Sequence, residues 1–248
     1  MKPKIAVFDF ASCEGCELQI VNLEENLLEL LGEVDVVSFR EAMKEHGDNY
    51  DIAFVEGSCT RKSDEARLKG IRKRAKIVVA LGACATIGGI NCLKNFQPMY
   101  KVKEIVYGKN AHMYETYPAR PISAVIPVDF CIHGCPINRD ELVSITKALL
   151  LGKKPEIPNY PICVECKRKG NQCVFEKGMF CLGPVARAGC GAICPSHGHA
   201  CEGCRGYVDN PNRDSEMEVL EKYGLTVQDA LKRLGMFLGY WEAPRYEQ

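Results

Sequence analysis

The sequence predicts an α/β protein: a doubly wound parallel sheet followed by a cysteine-rich, mostly irregular domain with C-terminal helices. Three observations carry this. Short apolar runs alternate with helical patterns through residue 152, the arrangement that parallel βαβ units produce. A linker from Lys153 to Ile162, with Pro155, Pro158 and Pro161, then ends the alternation. The fifteen cysteines change their distribution at the same place, seven spread over the first 135 residues and eight falling between Cys163 and Cys204. Two modules follow, residues 1–152 and 153–248.

Lys4 to Phe10 is the first strand. Ser12-Cys13-Glu14-Gly15-Cys16 sits at its seam with a helix in which Ile20, Leu23, Leu27 and Leu30 recur at steps of three and four, with Gly32 as its C-cap. Val34 to Phe39 and Asp51 to Val55 read as strands. Ser63 is placed to cap a helix that opens with Asp64 and Glu65 and closes with Arg72, Lys73 and Arg74, in the sense the helix dipole favours. Lys76 to Leu81 is a doubly buried strand running into Gly82-Ala83-Cys84. Residues 91–123 carry Pro98, Pro118 and Pro121 and read as irregular backbone. Ala124 to Phe130 is strand-like and enters Cys131-Ile132-His133-Gly134-Cys135-Pro136. Asn138 with Glu141 forms a capping box for a helix to Leu151, ended by Gly152. From Cys163 to Cys204 periodicity fades and large apolar residues are few, so bound metal is expected to supply folding energy. Asp214 to Tyr223 and Val227 to Leu238 are two helices broken at Gly224, the second capped by Thr226.

Composition narrows the function. Lys plus Arg and Asp plus Glu balance at 32 each, which gives no global electrostatic case for nucleic acid or an acidic membrane. The N-terminus enters a strand with no apolar leader, and no apolar run approaches a membrane span, so a cytoplasmic protein with no membrane anchor of its own is expected. In a reducing compartment so many thiols, odd in number, point to metal ligation rather than disulfides.

The thiols fall into sets. Cys163, Cys166, Cys173 and Cys181 form one run, and Cys190, Cys194, Cys201 and Cys204 another. Four thiolates each suit a 4Fe–4S cluster or a structural zinc ion. Cys13, Cys16, Cys84 and Cys135 are far apart in sequence, yet each follows a strand, so the topology gathers them at the carboxyl edge of the sheet, where α/β proteins build their sites. Zinc sites rarely draw ligands that way.

The segments Cys13-Glu14-Gly15-Cys16, Val55-Glu56-Gly57-Ser58, Gly82-Ala83-Cys84-Ala85-Thr86-Ile87-Gly88-Gly89, Gly134-Cys135-Pro136, Met179-Phe180-Cys181-Leu182-Gly183-Pro184 and Cys201-Glu202-Gly203-Cys204, in this order over nearly the whole chain, resemble the small, electron-transfer subunit of nickel–iron hydrogenases. The resemblance implies a flavodoxin-like first domain and three 4Fe–4S clusters. Cys13, Cys16, Cys84 and Cys135 match the proximal ligands, Cys190, Cys194, Cys201 and Cys204 the medial ones, and Cys163, Cys166, Cys173 and Cys181 the distal ones. Cys163 and Cys194 stand where the periplasmic branch has histidine and proline, so the chain resembles the cytosolic branch. The implied partners are the nickel–iron large subunit, which holds the H2-splitting site, and further flavin- or iron–sulfur-containing subunits. Twelve ligands leave Cys59, Cys92 and Cys131 as small buried thiols, with Cys131 a possible competitor of Cys135. His197 and His199 are expected beside the clusters rather than on them, Glu14 exposed near a cluster, and Glu56 at the partner interface. Rival readings are a cluster-bearing subunit of a complex-I-like oxidoreductase, whose usual adjacent cysteine pair is missing here, a free ferredoxin-like carrier, and a zinc-stabilised interaction module.

Overall fold

A computed structural model describes residues 2–224, 226–244 and 246. Five strands, β1 (Lys4–Phe8), β2 (Asp35–Phe39), β3 (Ile52–Glu56), β4 (Ile77–Leu81) and β5 (Phe130–Ile132), form one parallel sheet in the order β2-β1-β3-β4-β5. This is the flavodoxin-like order, which places all five carboxyl ends on one edge. Alternate residues of the strands feed two apolar layers. Ile5, Val7, Phe54, Val79 and Leu81 face one, and Ala6, Ala53, Val55, Val78 and Ala80 the other. The first layer is covered by α1 (Gly15–Val21), α2 (Glu25–Glu33) and α6 (Arg139–Leu150), and the second by α3 (Lys62–Arg74) through Leu68 and Ile71. Between β4 and β5 lie α4 (Gly82–Ile87), a 3-10 turn at Gly89–Phe96 and α5 (Met99–Tyr107).

Several local expectations change. The helix after Cys16 is two helices, because Glu24 takes φ 54°, ψ −120° while Leu23 packs into the core at 4% exposure; Gly32 lies inside α2, which Val34 ends. Leu23 keeps its burial at the expense of helix continuity. At the start of α3 the cap is not Ser63. The Asp64 carboxylate accepts from the N–H groups of Thr60 (3.0 Å) and Arg61 (3.1 Å), a charge-assisted arrangement that a hydroxyl cannot match. The strand expected at Ala124 to Phe130 begins only at Phe130. Pro127 has no N–H to give the sheet, and the Asp129 side chain substitutes by accepting from Val78 N–H at 2.7 Å. The capping box on α6 is half made: Asn138 accepts from Glu141 N–H at 3.0 Å, but the Glu141 carboxylate is turned elsewhere. Residues 91–123 include α5, absent from the expected layout.

The second module holds α7 (Ile162–Arg168), α8 (Ile193–Ser196), α9 (Arg213–Lys222) and α10 (Val227–Glu242), the last kinked at Leu238. Contrary to expectation, it builds an apolar core of its own. Ile162, Val174, Phe175, Phe180, Leu182, Val185 and, from α9, Leu220 are all buried together, with Phe175 stacked on Tyr223 at 5.6 Å. Distant α9 supplies what the cysteine segment lacks. α10 returns to the first module and lies along the Gly89–Phe96 turn. Gly239 makes this approach possible, since a Cβ there would stand 2.7 Å from the Cys92 carbonyl oxygen.

Candidate iron–sulfur centres

The carboxyl edge of the sheet gathers the first set. Cys16 opens α1, Cys84 lies in the first turn of α4 directly after β4, and Cys135 follows β5 in a turn where Gly134 takes φ +136° and Cys135-Pro136 is cis. The four thiols are electrostatic neighbours. Cys135 and Cys84 both raise the pKa of Cys16, Cys135 and Cys13 raise that of Cys84, and Cys13 raises that of Cys135, with burial the largest cause in each case. Cys84 is pushed up to about 12. Cys16 is buried, Cys84 half-buried, and Cys13 and Cys135 exposed, so the set opens outward on one side.

Close backbone passage shapes this edge. At Gly82, φ +81°, a Cβ would stand 2.3 Å from Cys16 Sγ, and at Gly89, φ +59°, one would stand 3.0 Å from Cys84 Sγ. Only glycine leaves the sulfurs room. Glu56, expected at the partner interface, ends β3. It is 2% exposed and its carboxylate accepts from the N–H groups of Cys16 (3.3 Å) and Glu17 (2.7 Å), holding the first turn of α1 in place. Glu14 is half-buried with φ 61°.

The other eight thiols interact both within the two expected runs and across them. Cys181, Cys166 and Cys173 each raise Cys163, which reaches about 12, whereas Cys190 raises both Cys194 and Cys204. Cys181 accepts from the N–H groups of Gly183 (3.4 Å) and Cys201 (3.2 Å), and Asn171 Nδ2 donates to Cys166 Sγ at 3.6 Å. Amides aimed at sulfur stabilise the thiolate form that iron needs. The sets also touch one another. The backbone N–H of Cys135 lies against Cys204 and lowers its pKa, and Cys181 does the reverse to Cys201 through its charge.

A buried ion pair locks the first set to the second module. Arg205, which follows Cys204, is 2% exposed and donates to Glu141 Oε1 (2.7 Å) and Oε2 (2.8 Å), to the His133 carbonyl (2.5 Å) and to the Ala188 carbonyl (2.7 Å). Gly189, φ +115°, makes room for the guanidinium, since a Cβ there would stand 2.3 Å from Nη2. Sequence reading missed this pair; an arginine directly after a CxGC run was the available signal.

Of the three remaining cysteines, Cys92 comes near enough to Cys84 for its charge to raise it, and Cys59 and Cys131 have no thiol of the sets among their neighbours. Cys59 pairs with the Tyr117 hydroxyl at 2.9 Å, Cys92 donates to the Ala119 carbonyl at 3.3 Å, and Cys131 packs on the second apolar layer with Arg187 as its charged neighbour. His197 and His199 are exposed. A cavity of about 500 Å³ lined by Asn95, Tyr117, Arg120 and Tyr240 contains no thiol in its wall.

The donor sets fit iron–sulfur clusters: each is all sulfur, four in number, with buried members and amides turned towards them. Among the described residues no three His, Cys, Asp or Glu side chains close tightly enough to hold one metal ion.

The chain is similar to known proteins. The family described as NADH ubiquinone oxidoreductase, 20 Kd subunit matches residues 13–149. Sulfhydrogenase 2 subunit delta of Pyrococcus furiosus is 35% identical over 88% of this chain and 92% of its own length. A subunit of the F420-non-reducing hydrogenase vhu of Methanocaldococcus jannaschii is 33% identical over 83% of this chain and 82% of its own. Among solved structures, a chain of an NAD+-reducing [NiFe]-hydrogenase in the H2-reduced state superposes with TM-score 0.57 at 25% identity, covering 64% of this chain and 96% of that one.

Proposed function

Since the chain belongs to the NADH ubiquinone oxidoreductase 20 Kd subunit family, as one of its hydrogenase electron-transfer subunits, we propose that it is the small subunit of a cytosolic nickel–iron hydrogenase. It relays electrons through three 4Fe–4S clusters, ligated by Cys13, Cys16, Cys84 and Cys135, by Cys190, Cys194, Cys201 and Cys204, and by Cys163, Cys166, Cys173 and Cys181. A 4Fe–4S cluster supplies one-electron uptake and release when bound. H2 cleavage belongs to the large subunit, and a further redox subunit exchanges electrons at the other end.

The observation that supports this reading is the pair of contacts from Cys135 to Cys204 and from Cys201 to Cys181, each a step between neighbouring clusters of the proposed row. This chain's own residues hold the row. Glu56 and Gly82 fix where the first sulfurs stand, Arg205 and Glu141 fix the second set against the first, and the buried surroundings of Cys201 and Cys181 keep water away. Extent also supports the hydrogenase reading over a complex-I-like subunit: the family match ends at residue 149, whereas the Pyrococcus furiosus relative is matched over 88% of the chain, more than the first module can supply.

Iron and acid-labile sulfide analysis of the anaerobically purified complex, with EPR on stepwise reduction, tests the proposal. About twelve irons per chain and three reducible signals are expected, given four irons per cluster, together with a co-purifying nickel subunit. Zinc in place of iron, or no nickel partner, would overturn it.

A further inference from the structure

We propose that Asn171 is a positioning residue that raises the reduction potential of the centre built on Cys163, Cys166, Cys173 and Cys181, a role that rests on the relay just described. The end of α7 puts the residue in place. Lys169 is the C-cap, and Gly170, at φ +68°, turns the chain back in a left-handed step. The Gly170 N–H donates to the Lys167 carbonyl at 3.0 Å, and the Asn171 N–H to the Cys166 carbonyl at 3.3 Å. These are the two bonds of a Schellman cap, which folds the residue two past the cap over the residue three before it. That contact is commonly apolar. Here it is a carboxamide against a thiol, with Asn171 Nδ2 at 3.6 Å from Cys166 Sγ.

A second contact fixes which end of the amide faces the sulfur. Asn171 Nδ2 also donates to Ser196 Oγ at 3.0 Å, and Ser196 gives its own hydrogen to the Ala192 carbonyl at 2.9 Å. Both neighbours therefore require a donor: one is a thiolate in the ligated state, the other a hydroxyl oxygen whose hydrogen is spent. The two hydrogens of an NH2 group meet both, and the amide oxygen meets neither. Ser196 closes α8, two residues after Cys194, so one nitrogen ties the end of α7 to the helix that carries a thiol of the neighbouring set. A hydrogen held against a ligand sulfur stabilises the more negative, reduced state of an iron–sulfur centre, which raises its potential. Cys181 takes its two donors from the backbone, where a side-chain substitution leaves them in place. The Asn171 donor can be withdrawn.

The test is an EPR-monitored redox titration of the anaerobically purified hydrogenase complex, with dithionite as the reductant. Three variants are compared with wild type. Asn171→Leu keeps the volume and removes the donor, Asn171→Asp adds an anion beside the sulfur, and Ser196→Ala frees the amide to rotate. Iron content should match wild type in all three. In Asn171→Leu one midpoint alone should fall, with a reduced-to-oxidised ratio roughly tenfold lower at the wild-type midpoint, or about 59 mV for one electron. Asn171→Asp should lower the same midpoint further, and Ser196→Ala should lower it less. Unmoved midpoints in the Leu and Asp variants overturn the role of Asn171 and leave the relay standing. Loss of about four irons from Asn171→Leu also overturns it, because the side chain then holds the centre together. A wild-type complex without reducible signals would remove the relay itself.

Discussion

Cys84 and Cys92 show how place separates residues of one type. Cys92 is buried and Cys84 half-buried, and both thiols are pushed up to about 12, but Cys84 shares its surroundings with Cys13, Cys16 and Cys135, while Cys92 spends its S–H on the Ala119 carbonyl beneath α10. Cys84→Ala should therefore lose about a third of the iron, since one of three four-iron sites is broken, and abolish H2-dependent viologen reduction. Cys92→Ala should keep all its iron and cost about 1 kcal/mol in urea unfolding, the scale for deleting a small buried group. Equal iron content in the two variants would contradict the ligand assignment. Gly82→Ala should resemble the Cys84 variant, because the added methyl occupies space that Cys16 Sγ needs. That Cys13, Cys16, Cys84 and Cys135 meet at one edge of the sheet was legible from their positions after strands. Glu56 was noticed only as a residue at a strand end. Nothing in a single sequence shows that its carboxylate turns inward to two amides, as that depends on the register of β3 against α1.

At the scale of elements, strands and their order were the most readable feature, because doubly buried strands appear as unbroken apolar runs. Errors gathered where one side chain replaced a backbone partner, as at Asp64 and Asp129, or where burial of one residue broke a helix, as at Leu23. Asp51 is another such side chain. Its carboxylate accepts from Lys4 N–H at 2.9 Å and pairs with Lys76 Nζ at 2.8 Å, tying the starts of β1 and β4 to β3. The Lys4 amide, then Lys76, hold its pKa below 3.8, so the unfolded chain takes up a proton before the folded one does. Its contribution is complete above that value and is lost as pH falls through the lower, folded value. Asp51→Asn should cost about 1 kcal/mol at neutral pH and flatten the acid limb of the stability curve, as thermal melts from pH 7 down to pH 3 will show. A variant with an unchanged acid limb would place the pH dependence elsewhere.

At the scale of the whole molecule, the two modules meet across the desolvated Arg205–Glu141 pair, the Cys135–Cys204 contact, Ile87 packed with Tyr207 and the returning α10. Arg205→Met leaves the Glu141 carboxylate buried without its partner, and a loss of about 3–5 kcal/mol is expected. The double variant Arg205→Met/Glu141→Leu should recover most of it, because the cost lies in the stranded charge. Chemical denaturation of both variants checks this, and a double variant as unstable as the single one would show that the guanidinium's bonds to the His133 and Ala188 carbonyls dominate instead. The change in cysteine distribution was visible in the sequence; the fastening of Arg205 to Glu141 was not, because they lie 64 positions apart.

The first thiol set is open to solvent through Cys13 and Cys135 and closed behind by Cys16 and Cys84. On the proposed assignment, iron and sulfide would enter from that open flank before a large subunit covers it.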